Sequence, residues 1–132
     1  MKKNIWLLML ALSAVCTVFG CAEMTVTGVP EGSALTGVYE GSFNGTFNEG
    51  TLEVKLYQSP DGRKLFFGHF EEEGTFLQFR GEILENELQG QFLLPYEGTI
   101  AGKLSTDGQA LSGTYKFSLR PIRQGTWQAQ RQ

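Results

Sequence analysis

The chain has 132 residues, 41% hydrophobic and 19% charged, with a formal net charge of −3. That length suits a single domain with a modest core, and the acidic balance argues against nucleic acid, which needs a basic face to meet its phosphates. The two cysteines, Cys16 and Cys21, both lie near the start, so the rest of the chain has no thiol pair for a disulfide or a cysteine metal site.

Lys2 and Lys3 precede an apolar run from Ile5 to Phe19. A cationic start and an apolar stretch shorter than the ~20 residues of a membrane-spanning helix have the form of an export leader. The run ends in Val18-Phe19-Gly20-Cys21, which resembles the processing site of bacterial lipoproteins. The resemblance implies that residues 1–20 are a signal peptide cut before Cys21. It also implies that diacylglycerol is attached to the Cys21 thiol and a further acyl chain to the new amino group, enough for stable anchoring. By the same resemblance Ala22, where Asp would mark retention at the inner membrane, implies delivery to a bacterial outer membrane, with the periplasmic or surface face left open. Loss of the leader leaves about 112 residues, with nine basic side chains against fourteen acidic ones, a net charge of about −5.

From Ala22 to Leu35 the chain carries Thr, Gly, Pro, Glu and Ser and has no apolar period. Residues 21–35 are therefore expected to be the lipidated cysteine and a flexible tether, able to hold a domain up to ~40 Å from its lipid at full stretch. The folded domain is expected over residues 36–132.

There, short alternating runs are separated by turn residues, and no helical period competes. The pattern predicts eight strands: Thr36 to Phe43, Thr51 to Gln58, Lys64 to Phe70, Thr75 to Ile83, Glu87 to Leu94, Gly98 to Leu104, Ala110 to Ser118, and Gly125 to Arg131. Turns such as Asn44-Gly45, Ser59-Pro60-Asp61-Gly62, Leu84-Glu85-Asn86 and Thr106-Asp107-Gly108 are too short for crossovers, so neighbouring strands are antiparallel. Pro95-Tyr96-Glu97 and Arg120-Pro121-Ile122 are expected to connect the later strands.

Within the strands an apolar residue, a glycine and another apolar residue recur on one face: Tyr39-Gly41-Phe43, Phe66-Gly68-Phe70, Phe79-Gly81-Ile83, Leu88-Gly90-Phe92, Ile100-Gly102-Leu104 and Leu111-Gly113-Tyr115. Pairing Ile83 with Leu88, Phe92 with Ile100 and Leu104 with Leu111 would align Gly81, Gly90, Gly102 and Gly113 in one row. Glycine weakens a strand interior by roughly 0.5 to 1 kcal/mol, and curvature is the geometric return expected here. The fold class predicted is all-β, an eight-stranded antiparallel up-and-down meander barrel. Gly125-Thr126-Trp127 in the last strand is expected to close on Gly37 to Phe43 in the first.

The residues expected inside are Leu52, Val54, Leu56, Phe66, Phe70, Phe79, Leu88, Phe92, Ile100, Leu104, Leu111, Phe117 and Trp127, with Tyr39 and Tyr115 as polar-tipped members. None is charged, so no interior acid, base or nucleophile is available and no catalytic residue is assigned. His69 is the only histidine and falls on the outer face near Phe76. Glu71-Glu72-Glu73 lacks the alternating oxygen ligands of a calcium loop and reads as a solvated turn. Neither a metal ligand nor a cofactor is assigned.

Two binding modes remain. The interior mode places a small apolar ligand or lipid in a slot above the glycines, lined by Tyr39, Phe79, Phe92, Tyr115 and Trp127. The competing expectation is that aromatic rings fill that space. The exterior mode uses Tyr57, Phe67, Phe76 and Leu93 as an apolar surface for an envelope protein, with Tyr96 in a nearby turn.

Leu35-Thr36-Gly37-Val38-Tyr39 and Leu111-Ser112-Gly113-Thr114-Tyr115 resemble the strand pattern of avidin-type barrels, and Gly125-Thr126-Trp127 resembles the Gly-x-Trp of lipocalins, though in the last strand instead of the first. Ser112-Gly113 followed by Tyr115 is similar to small lipid-anchored barrels of the lysozyme-inhibitor type, which usually carry a cysteine pair missing here. These resemblances imply architecture only. The reading is a non-enzymatic, lipid-anchored envelope module that binds through its surface, with a calycin-like carrier of a small apolar ligand as the alternative.

Overall fold

The computed structural model describes residues 30–46, 48–118 and 122–132. The expected leader, Cys21 and the expected tether as far as residue 29 lie outside them, as does most of the Arg120-Pro121-Ile122 turn. The eight strands are β1 (Ala34–Gly45), β2 (Glu49–Gln58), β3 (Lys64–Glu72), β4 (Thr75–Leu84), β5 (Glu87–Phe92), β6 (Gly98–Leu104), β7 (Ala110–Phe117) and β8 (Arg123–Arg131). Each pairs antiparallel with its chain neighbours, and β8 returns to β1 to close the barrel.

Turn chemistry fixes most of the hairpins. Glu73-Gly74 and Glu85-Asn86 are two-residue connections with positive φ at both positions, the sense of twist that continues into right-twisted strands. Glu71 and Glu72, expected in the turn, instead extend β3. β1 also begins earlier than expected: Ala34 and Leu35 already pair with Gln58 and Tyr57. They follow a turn in which the Ser33 amide donates to the Pro30 carbonyl at 3.1 Å. Ala34 and Leu35 thus belong to the barrel, and the folded domain begins before the expected Thr36.

Ile83 faces Leu88 and Leu104 faces Leu111 as the pattern predicts, which sets Gly81 opposite Gly90 and Gly102 opposite Gly113. The β5–β6 register differs by two residues: Gly90 faces Ile100 and Leu88 faces Gly102. The single glycine row therefore divides into two pairs. β5 ends at Phe92, two residues short of the predicted Leu94, and the connection from Leu93 to Glu97 is centred on Pro95; the Leu93 amide continues the β4–β5 ladder, donating to Gln78 O at 2.8 Å. Closure is displaced likewise, with Tyr39 to Gly45 of β1 paired to Gly125 to Arg131 of β8 and Phe43 set against Trp127.

Period-two alternation carries one side chain in two into a continuous core. Every residue expected inside is buried except Leu104, which is half-buried and packs against the same cluster. Phe43, Leu77, Ile83 and Ala129 join it. The two ends of the barrel differ in what they carry. One end holds Pro30 to Ser33 and the turns 59–63, 85–86 and 105–109; the other holds Thr46, Asn48, Ser118, Ile122 and the connections 73–74 and 93–97.

Candidate functional site

The five candidate interior residues all belong to one cluster, but they sit among rings that occupy the middle of the barrel. Phe70 stands at its centre. It stacks nearly parallel on Phe43 at 4.3 Å between centroids and meets Tyr115, Phe92 and Phe79 edge-on at 5.0, 5.3 and 5.5 Å. Phe92 continues to Phe117 at 4.3 Å, and Phe79 to Phe66 at 6.1 Å. Offset and edge-on pairs at these separations are favourable arrangements for aromatic quadrupoles.

The glycines are where several of these rings rest. A Cβ at Gly68 would lie 2.7 Å from Phe79, one at Gly90 2.7 Å from Phe66, and one at Gly102 2.5 Å from Trp127. The space expected above the glycines is thus taken up by side chains of the protein itself. Tyr39, Phe79, Phe92, Tyr115 and Trp127 are brought together as neighbours in a packed core.

Their polar atoms are also committed. Tyr39 donates its hydroxyl to Gly108 O at 2.6 Å, joining β1 to the β6–β7 turn. Trp127 Nε1 donates to Ala101 O at 3.1 Å and Thr114 O at 3.2 Å. At the other end Tyr115 donates to Asn48 Oδ1 at 3.1 Å, Asn48 Nδ2 donates to Glu72 Oε2 at 3.2 Å, and Glu72 pairs with Arg123 at 3.6 Å. Burial, and then the nearby Glu72 charge, push the Tyr115 hydroxyl above the usual tyrosine range; Arg123 opposes them.

Asn48, 8% exposed, is the buried polar residue of this arrangement, and the sequence reading missed it. A turn asparagine looks like ordinary loop chemistry. The available signal was indirect: an inward tyrosine near a strand end needs a partner.

The exterior candidates do not form one patch. Tyr57 faces outward but is only 7% exposed, so it is corrected from open surface to a small outer cluster with Leu65 and half-buried Phe67. That burial raises the Tyr57 hydroxyl pKa despite the opposing charges of Arg80 and Arg63. Phe76 is exposed, with its ring edge-on to His69 at 5.0 Å. Leu93 is half-buried and Tyr96 packs against the core from outside β5. The next residue after Leu93 is the more open one, since Leu94 is 84% exposed, and Ile122 at the same end is 50% exposed. Leu94 was expected at the end of the fifth strand, on the same face as Leu88 and Phe92; β5 ends at Phe92 instead, so Leu94 stands in the connection and is exposed, and Ile122 lies in a connection that alternation does not orient.

Among the described residues no group of three His, Cys, Asp or Glu side chains is placed to hold a metal ion. No protein-family model matches the chain, and no curated protein does.

Proposed function

We propose that this protein is a lipid-anchored module of the bacterial cell envelope that works by binding a protein partner through its outer surface and performs no chemistry of its own. The observation that carries this reading is the interior: rings fill it and its polar tips are hydrogen-bonded within the protein, so the surface is what remains to recognise anything. The Val18-Phe19-Gly20-Cys21 run and the acidic balance of the chain support an envelope location and a non-nucleic partner. The calycin-like carrier, in which Tyr39, Phe79, Phe92, Tyr115 and Trp127 enclose a small ligand, requires several of these rings to move apart.

Metabolic labelling with an alkyne-bearing fatty acid tests the anchor. The wild-type protein should take up label and fractionate with the outer membrane, and Cys21→Ala should lose the label. Equal labelling of the variant would overturn the anchor assignment. In-envelope photo-crosslinking from surface positions should give discrete protein adducts for the binding role; their absence from every position would remove it.

A further inference from the structure

The register sorts the outward side chains of the strands into four rows that cross the barrel from strand to strand. Three rows carry glutamates: Glu40 and Glu53 in one, Glu49 and Glu82 in another, Glu71 and Glu87 in the third. The fourth carries none. It runs from Lys55 through Phe67, Arg80, Gln91 and Thr99 to Lys116. This row therefore holds Lys55, Arg80 and Lys116, whereas the rows with glutamates hold Lys103 alone. On a chain of net charge −3 it is a local reversal of sign.

Within the row, Arg80 is the cation whose charge is unspent beside an apolar group. Lys55 pairs with Glu53 at 3.6 Å and Arg63 with Glu82 at 3.4 Å, so the glutamates flanking the row on β2 and β4 have cations of their own. Arg80 is exposed and makes no ion pair or side-chain hydrogen bond among the described residues. It stands directly between Phe67 and Gln91. Phe67 is half-buried and packs with Tyr57 and Leu65, which form the one apolar cluster on the outer wall among the described residues. Leu35, opposite Tyr57 on β1, is exposed beside it. Lys116 has only polar Thr99 and Gln124 as its neighbours in the row.

A guanidinium offers paired donors to a single carboxylate, and the ring next to it can take an apolar group of the same ligand. Arginine and aromatic side chains are also the ones that carry most of the binding energy at protein interfaces. The flanking Glu40, Glu53 and Glu82 limit the width of the site. They would face and repel a broad anionic lipid surface, whereas one carboxylate on a narrow segment reaches Arg80 between them.

Resting on the surface-binding reading above, we propose that the barrel wall at β3–β5, centred on Phe67, Arg80 and Gln91, docks an acidic segment of the protein partner. A carboxylate of that segment meets Arg80, and the apolar side chain beside it lies on Phe67.

The test uses the full lipidated chain in zwitterionic nanodiscs, with empty nanodiscs as blank and a fluorescent extended Glu/Leu peptide as probe. Binding should saturate, and a Gln/Leu peptide of the same length should bind roughly tenfold more weakly. Arg80→Gln should abolish that difference. Arg80→Lys should recover only part of it, because a point charge lacks the paired donors, and Phe67→Ser should weaken both peptides severalfold. Lys103→Gln, which removes the same charge from another row, should leave binding unchanged. Equal binding of the two peptides, indifference to Arg80→Gln, or an equal loss in Lys103→Gln would each overturn the proposal. Displacement of the peptide by tetragalacturonate at matching concentration would give the site to a glycan and overturn it too. Photo-crosslinkers at Gln91, Gln128 and Leu94 in the intact envelope separate the two levels. A Gln91 adduct lost with Arg80→Gln supports the site, and one that persists counts against it. Adducts from Gln128 or Leu94 alone overturn the site and leave surface binding standing, whereas adducts from no position overturn both.

Discussion

Phe70 illustrates how much of this barrel depends on single rings. Its side chain is fully buried and touches Phe43, Phe79, Phe92 and Tyr115, which come from four other strands. Phe70→Ala should cost about 3 to 5 kcal/mol, because the surrounding rings cannot collapse into the void without leaving their glycine seats. A urea titration reads this as a lowered midpoint with little change in slope. Tyr115 makes a different prediction. Its raised pKa means that the unfolded chain ionises first as pH climbs past ~10, so the Tyr115 contribution to stability is complete below that pH and declines above it. Tyr115→Phe should flatten the alkaline fall in melting temperature; an unchanged fall would show that Tyr115 is not the group responsible. At this scale the sequence was informative about apolar positions and mute about Asn48, since alternation identifies which side chains face inward but not what a turn residue bonds to.

Among the elements, the hairpins with tight turns were legible and the looser one was not. Leu104 and Leu111 had to meet across Ser105 to Gln109, a loop whose shape its own side chains set: Ser105 Oγ donates to Asp107 at 2.6 Å, and the Gln109 amide donates to the same carboxylate at 3.1 Å. Ser59 and Asp61 bond in the same way in the β2–β3 loop. These bonds, the serine hydroxyl foremost, hold both carboxyls below the ordinary carboxylate range. Their stabilising contribution is therefore present above the unfolded value of ~3.9 and is lost as pH falls through the lowered folded values. Asp107→Asn should reduce the melting temperature at neutral pH and weaken its decline on acidification; a steeper decline would contradict the assignment. The β5–β6 hairpin carried no comparable signal. Its register is centred on Pro95, in a five-residue connection that the predicted strand overran by extending to Leu94.

For the whole molecule, the repeated apolar-x-Gly-x-apolar unit made the architecture legible. Six strands offer a ring or aliphatic group on either side of a bare backbone position, and a meander of such strands can curl until β8 meets β1. The exposed apolar surface was less legible. Tyr57 and Phe67 looked like exposed aromatics by alternation, yet Leu65, directly opposite Tyr57 on the same outer face, packs with them, while Leu94, expected to end the fifth strand, and Ile122 stand exposed in connections. Solidity of the core is the point on which surface binding, as opposed to carriage, depends. It is tested most directly by native mass spectrometry of the barrel exported on an ordinary secretory leader and purified without detergent. A bare polypeptide mass that stays bare after incubation with fatty acids is the expected result. A stoichiometric adduct of defined lipid mass, lost when Phe92 is replaced by Trp, would contradict it.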